Sequence, residues 1–391
     1  MEEIKFENKI SDLDEFSKLF KINIPLNKHF YYYLDTLVKS KEYAHLHTLI
    51  GNFIALENHA RFEGYSSAKS YKLDYAFPKI VKYIEESHVY DTIQNYQFQE
   101  NKHLVTKDDF KRTISQDYWY ISFDISKANY SSFKLLDDKN DMMDSWEQLC
   151  SHLEIHDTLS SSKSFRQVVF GNTNPKRLQK LQHLQVISAV EYLKLKGISD
   201  ENICFISHDE FVLRFKQDDP NDVWLTNHYS NKEILTELSA QMSNVPLKST
   251  IYELDKVSKD IYLKTVYAST GTGVLPSYKT LVGAPGNKFY KYFKLHVLKE
   301  DLDERDLLFM NDGEVAKWMS DEDSIETSFA PEGELSLDQA KQDYEYFYNQ
   351  LSKELPSLSE AQKRKIINIS TSLCRSCMNN DGSKCVCWKD E

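Results

Sequence analysis

Two apolar segments constrain this chain more than any other feature, because each carries a carboxylate where a strand ends. WYISFDISKANYSSF at 119–133 places Asp124 directly behind aromatic and β-branched residues, and CFISHDEFVLRF at 204–215 places Asp209 and Glu210 between two apolar runs. The first reads as a strand and the second as a β-hairpin whose tight turn holds His208-Asp209. If the hairpin pairs beside the first strand, its turn lifts Asp209 next to Asp124. Like charges at that separation repel by several kcal/mol in a partly dry site unless a cation lies between them. The pattern therefore predicts a Mg²⁺ centre held by Asp124 and Asp209, with Glu210 as a supporting acid, because Mg²⁺ takes hard oxygen ligands and completes its shell with water and phosphate. Two such ions a few Å apart serve in-line attack on phosphorus.

Between the acids lies KSFRQVVFGNTNPKRLQKLQHLQ, residues 163–185, with Lys163, Arg166, Lys176, Arg177 and Lys180 and no acidic residue. This is positive charge where a triphosphate needs it. Arg166 and Phe170 share a helix face four residues apart. Gly171 permits close backbone approach to a ligand, and Asn174-Pro175 ends one helix and starts another.

At 391 residues the chain is long enough for two or three lobes. Residues 1–110 read as a helical N-terminal region. Residues 111–268 form a strand–helix–strand block, with further strands expected at 249–268. Residues 269–391 open with a glycine- and lysine-rich loop leading into a basic, aromatic helix, continue through an acidic stretch at 300–345, and end in a cysteine cluster. The segment 271–299 suits a thumb or a contact with single strands, with an ordinary amphipathic helix and a solvated lysine face as its alternative. Cys374, Cys377, Cys385 and Cys387, as CxxC and CxC, have a spacing compatible with a structural Zn²⁺. Cys150 and Cys204 read as core thiols.

The acidic N-terminus lacks the pattern of an export signal, and no apolar run reaches the ~18 residues of a spanning helix. The expectation is a soluble, cytoplasmic protein, or one at a nucleoid or viral replication site, with no membrane partner. The net charge of −12 excludes a uniformly basic surface but leaves local basic patches.

Three segments together resemble motifs A, B and C of palm-domain nucleic-acid polymerases, most closely the A family of DNA polymerases. Asp124-Ile125-Ser126 is similar to motif A, Arg166 with Phe170-Gly171 to motif B, and His208-Asp209-Glu210 to motif C. The resemblance covers about 100 residues and departs in places. Asn129, followed by Tyr130, stands where the family usually has a glutamate that excludes ribonucleotides, and Asn174 replaces an expected tyrosine. Asp124 and Asp209 are 85 positions apart (209 − 124), a compression closer to reverse transcriptases. Their motif A often resembles DISKAxY, and their motif B has a proline shortly after its glycine, as Gly171 and Pro175 do here.

The resemblance implies an α+β fold, a right-hand palm whose antiparallel sheet carries the carboxylate hairpin, with helical fingers. It implies a template-directed nucleotidyltransferase acting on a template–primer and nucleoside triphosphates with two Mg²⁺ ions. Arg166 and Lys163 would take the phosphates. Phe170, Gly171, Ser126, Asn129, Tyr130 and His208 would border the nucleotide. Replication or mobile-element partners fit such an enzyme. A reverse transcriptase, an RNA polymerase or primase-like enzyme, and a catalytically silent nucleic-acid-binding accessory protein remain alternatives.

Overall fold

The computed structural model describes residues 10–98, 105–218, 232–270, 273–311 and 314–318. The cysteine cluster and most of the acidic stretch lie outside these residues. The chain divides into two compact units, one comprising residues up to Ile22 together with Val38–Gly283, the other Asn23–Leu37 together with the chain from Ala284.

The first unit is built on a sheet. Strands β1 (Tyr118–Ile125), β2 (Ile203–Ile206), β3 (Glu210–Lys216), β4 (Leu247–Ser258), β5 (Ile261–Thr270) and β6 (Gly273–Val282) lie in the order β2-β3-β1-β4-β5-β6. Every pairing is antiparallel. Helices connect β1 to β2, and the helix Lys232–Gln241 connects β3 to β4. The first four strands thus form a βαββαβ unit of split-βαβ order. The α+β class and the antiparallel sheet agree with the sequence.

Strand alternation sorts the residues of β1 and β3 onto two faces. Ile121, Phe123 and Ile125 join Phe211, Leu213 and Phe215 against Val186, Val190 and Leu193 of the helix Pro175–Leu195 and Ile234 and Leu238 of the helix Lys232–Gln241. Tyr120 and Val212 face the other way, with Tyr252, Tyr262 and Val266. Asp124 and Glu210, in step with Tyr120 and Val212, belong to this second face.

Local chemistry explains several boundaries. Asn174 adopts the left-handed conformation at φ 59°, and Pro175 opens the next helix, where its missing N–H costs nothing. Thr106 and Asp109 cap the helix Lys107–Thr113 reciprocally. Upstream, the helices Leu13–Phe20, Leu46–Phe62, Phe77–Glu85 and His88–Asn95 match the helical reading of the N-terminal region.

Strand β6 departs from that reading, which made its residues a loop. It pairs with β5 along its length, with a register shift between Val266 and Tyr267 opposite Pro276 and Tyr278. Proline is tolerated because β6 pairs on one side only. The boundary expected at 268 therefore falls within β5. Beyond β6, Gly283 has φ +81°, and a Cβ there would lie 1.9 Å from the Asp260 carbonyl oxygen, so only glycine closes this corner.

In the second unit the expected aromatic helix exists as Phe289–Tyr292, continuing through a wider turn at Phe293–Leu298. Its lysines do not all face outward. Lys291 and Lys294 are buried, and Lys294 Nζ pairs with Asp306 Oδ2 at 3.1 Å. Asp306 also accepts from Tyr32 Oη at 2.8 Å, and the Arg305 guanidinium stacks 3.7 Å from the Tyr32 ring centroid. A buried ammonium persists only with such a partner. The short hairpin of β7 (Leu308–Asn311) and β8 (Glu314–Lys317) completes what is described of this unit. Among the described residues no helix is long and apolar enough to cross a membrane.

Candidate active site

The carboxylates meet at one end of the central strands. Asp124 is the cross-strand partner of Glu210 on one side and of Lys248 on the other. Directly opposed residues of antiparallel strands have side chains on the same face, about 5 Å apart at Cβ. The neighbouring pair Phe123–Phe211, stacked at 4.8 Å on the helix-covered face, fixes this register. Asp209 is the second residue of the two-residue turn between β2 and β3, where the Ser207 N–H donates to the Glu210 carbonyl at 2.7 Å. The Asp209 carbonyl accepts from the Ile125 N–H at 2.9 Å, tying the turn to the end of β1. Both turn residues keep negative φ.

The electrostatics follow from that crowding. Burial, then the charges of Asp124 and Asp209, push the Glu210 carboxyl above the ordinary range, with Lys264 and Lys107 acting against them. Asp124 is turned onto Lys248, with Nζ 2.7 Å from Oδ2. Among the described residues no three His, Cys, Asp or Glu side chains are gathered in metal-holding geometry. What the register supplies is a set of oxygen donors and an ammonium already seated on one of them.

The second face of the sheet adds charged groups absent from the sequence-based site. Lys264 on β5 is half-buried, its Nζ 3.8 Å from the Tyr252 ring centroid. Burial lowers its pKa, while Glu210 and Glu42 act to raise it. Glu42, carried by a short turn of helix at Lys41–Tyr43, is itself pushed up by burial, with Thr280 and Lys264 opposing. A lysine inside the apolar strand IYLKTVYA was the available clue to Lys264. Glu42 had none, because its place depends on a contact across more than 200 positions.

The remaining site residues fall into two groups. Ser126 donates its N–H to the Pro246 carbonyl at 2.8 Å and accepts from Ser131 Oγ at 2.7 Å. Ser126, Lys127, Tyr130, Ser131, Lys134 and Trp146 line a cleft of about 520 Å³. Asn129 Oδ1 accepts from Gln182 Nε2 at 2.9 Å. His208 is half-buried, its Nδ1 without a hydrogen-bond partner and its ring 6.0 Å from that of His183. Tyr130 is buried, donating to the Met143 carbonyl at 2.6 Å.

The segment likened to motif B occupies the helix Lys163–Gly171. Phe170 is buried against Tyr130, Phe133 and Trp146, so its ring serves the core and presents no free face for stacking. Arg166 is half-buried on the same helix; burial lowers its pKa, opposed by Glu147 and Cys150. Glu147 also contacts Lys127. Lys163 is exposed and lowers the pKa of Lys21, whose larger cause is burial. Gly171 is exposed with room for a Cβ, so sterics do not demand glycine there. The expected core thiols Cys150 and Cys204 are both buried, their pKa values pushed up to about 12 by burial.

No family model matches the chain, and no curated protein matches it either.

Proposed function

We propose that the chain is a palm-type, template-directed nucleotidyltransferase, most simply a DNA polymerase. The observation that carries the reading is the pairing of Asp124 with Glu210 across β1 and β3, with the turn residue Asp209 tied by its backbone to the end of β1, in a βαββαβ sheet. The donor set suits Mg²⁺, since all three groups are hard oxygen ligands. Asp124 already accepts a cation in the form of the Lys248 ammonium, and Glu210, raised first by burial and then by the neighbouring Asp124 and Asp209 charges, adds negative charge that a divalent ion would relieve.

Asp124 and Asp209 would hold the ions, and Glu210 supports them through charge. Bound there, Mg²⁺ supplies activation of a primer hydroxyl and neutralisation of departing pyrophosphate. The chain's own groups do the rest. Arg166, with Lys163, takes the β and γ phosphates. Tyr130 and Phe170 shape the nucleotide pocket from behind as packed rings, and Asn129, held by Gln182, stands at the sugar. In the C-terminal tail, Cys374, Cys377, Cys385 and Cys387 would hold a structural zinc.

The short interval between Asp124 and Asp209 favours a reverse transcriptase as a second reading. The Asp124–Lys248 pair favours a third, a silent nucleic-acid-binding protein in which a lysine has replaced the metal. Primer extension on DNA and RNA templates with deoxy- and ribonucleotides separates them. The polymerase reading expects extension that disappears in Asp124→Asn and Asp209→Asn proteins of unchanged circular dichroism. Extension surviving in either variant removes the mechanism.

A further inference from the structure

The helix that opens at Pro175 begins with Lys176-Arg177, and Lys180 follows one turn later. Arg177 is a structural tie, its Nε donating to the Ile93 carbonyl at 2.6 Å and its Nη2 to the Tyr96 carbonyl at 2.5 Å. Asn174 Nδ2 donates to Gln94 Oε1 at 2.9 Å. These bonds fix the segment after the helix His88–Asn95 against the start of the basic helix. Two rings are displayed there, Tyr96 and Phe98, with centroids 4.8 Å apart. The Arg177 guanidinium lies 5.1 Å and the Lys180 ammonium 5.8 Å from the Phe98 centroid.

Two properties of this patch ask for a ligand. Lys176 and Lys180 are exposed and have no ion-pair partner among the described residues, although acids outnumber bases in the chain by 12. Tyr96 is also exposed, at 36%. Lysines without an acidic partner beside an exposed Tyr96 ring and a half-buried Phe98 ring match a polyanion with unpaired bases, whose phosphates take the ammonium groups while a base stacks on Tyr96. A duplex offers the phosphates but keeps its bases stacked internally.

We propose that Tyr96, Phe98, Lys176 and Lys180 form a docking surface for single-stranded nucleic acid. The proposal rests on the preceding reading only in making that strand the template; the binding itself requires neither metal nor nucleotide. The test is fluorescence anisotropy of the full-length protein with a short labelled oligothymidine, without Mg²⁺, across a salt series. Lys176→Gln combined with Lys180→Gln is expected to make the slope of log affinity against log salt shallower by about 1.4, at about 0.7 per phosphate contact. Tyr96→Ala or Phe98→Leu is expected to weaken binding about tenfold at fixed salt with the slope unchanged. The binding assay contains neither Mg²⁺ nor nucleotide, so a failed extension assay and a failed binding assay remain separate results. An unaltered slope in the double lysine variant overturns the proposal, as does a blunt duplex of equal length competing as well as the single strand.

Discussion

Replacing Lys264 by methionine isolates the electrostatics of the sheet's second face. The ammonium sits on the Tyr252 ring, and its charge opposes the burial that raises Glu42 and the burial and neighbouring Asp124 and Asp209 charges that raise Glu210. Methionine fills similar volume and removes the cation, leaving two half-buried carboxyls with less compensation, namely Lys107 beside Glu210 and the Thr280 hydrogen bond to Glu42. No carboxylate lies within ion-pair distance of Lys264 among the described residues, and Glu210, Lys264 and Glu42 are each half-buried, so the charge compensation is partly screened and about 1 kcal/mol is expected, a fall in melting temperature of about 2–4 °C for a unit of this size.

The loss should depend on pH with a definite sign. Glu210 and Glu42 have folded pKa values above their unfolded ones, so ionisation costs stability at higher pH, and the cost disappears as pH falls below the unfolded carboxylate value. Removing Lys264 raises both further. The variant is therefore weakest near pH 8 and approaches wild type near pH 4–5. Urea unfolding followed by circular dichroism at several pH values measures this, and adding Glu42→Gln and Glu210→Gln should restore most of the loss. A pH-independent destabilisation, or none at pH 8, refutes the reasoning.

Other outcomes follow from single contacts. Lys248→Ala frees Asp124 of its ammonium and should lower the Mg²⁺ concentration that half-saturates a thermal-shift titration; an unchanged midpoint contradicts the shared cation site. Gly283→Ala forces a Cβ against the Asp260 carbonyl and should cost more than about 1 kcal/mol in urea unfolding. Phe170→Ala opens a cavity between Tyr130, Phe133 and Trp146 and should cost about 3–5 kcal/mol; a variant that unfolds at wild-type urea concentration would deny the ring its core role.

What the sequence determined by itself was local. The runs of aromatic and β-branched residues in WYISF and FVLRF specified β1 and β3 because such side chains favour extended backbone. Asn174-Pro175 specified a helix break because proline lacks the N–H that would continue the helix. His208-Asp209 between apolar runs specified the turn, while the residue opposite Asp124 proved to be Glu210. What only the tertiary structure decided depends on partners far along the chain. Lys248 meets Asp124 because β4 pairs on the far side of β1. Glu42 and Lys264 face one another's charge because β5 and β6 extend the sheet, and β6 itself exists only through its pairing with β5, since its glycine, proline and lysines disfavour a strand alone. Lys291 and Lys294 read as surface groups by type and became buried because an ammonium is stabilised by what packs around it. The physical reason is the same throughout: backbone preference acts over a few residues, whereas burial and charge compensation are settled by which strands and helices come to lie side by side.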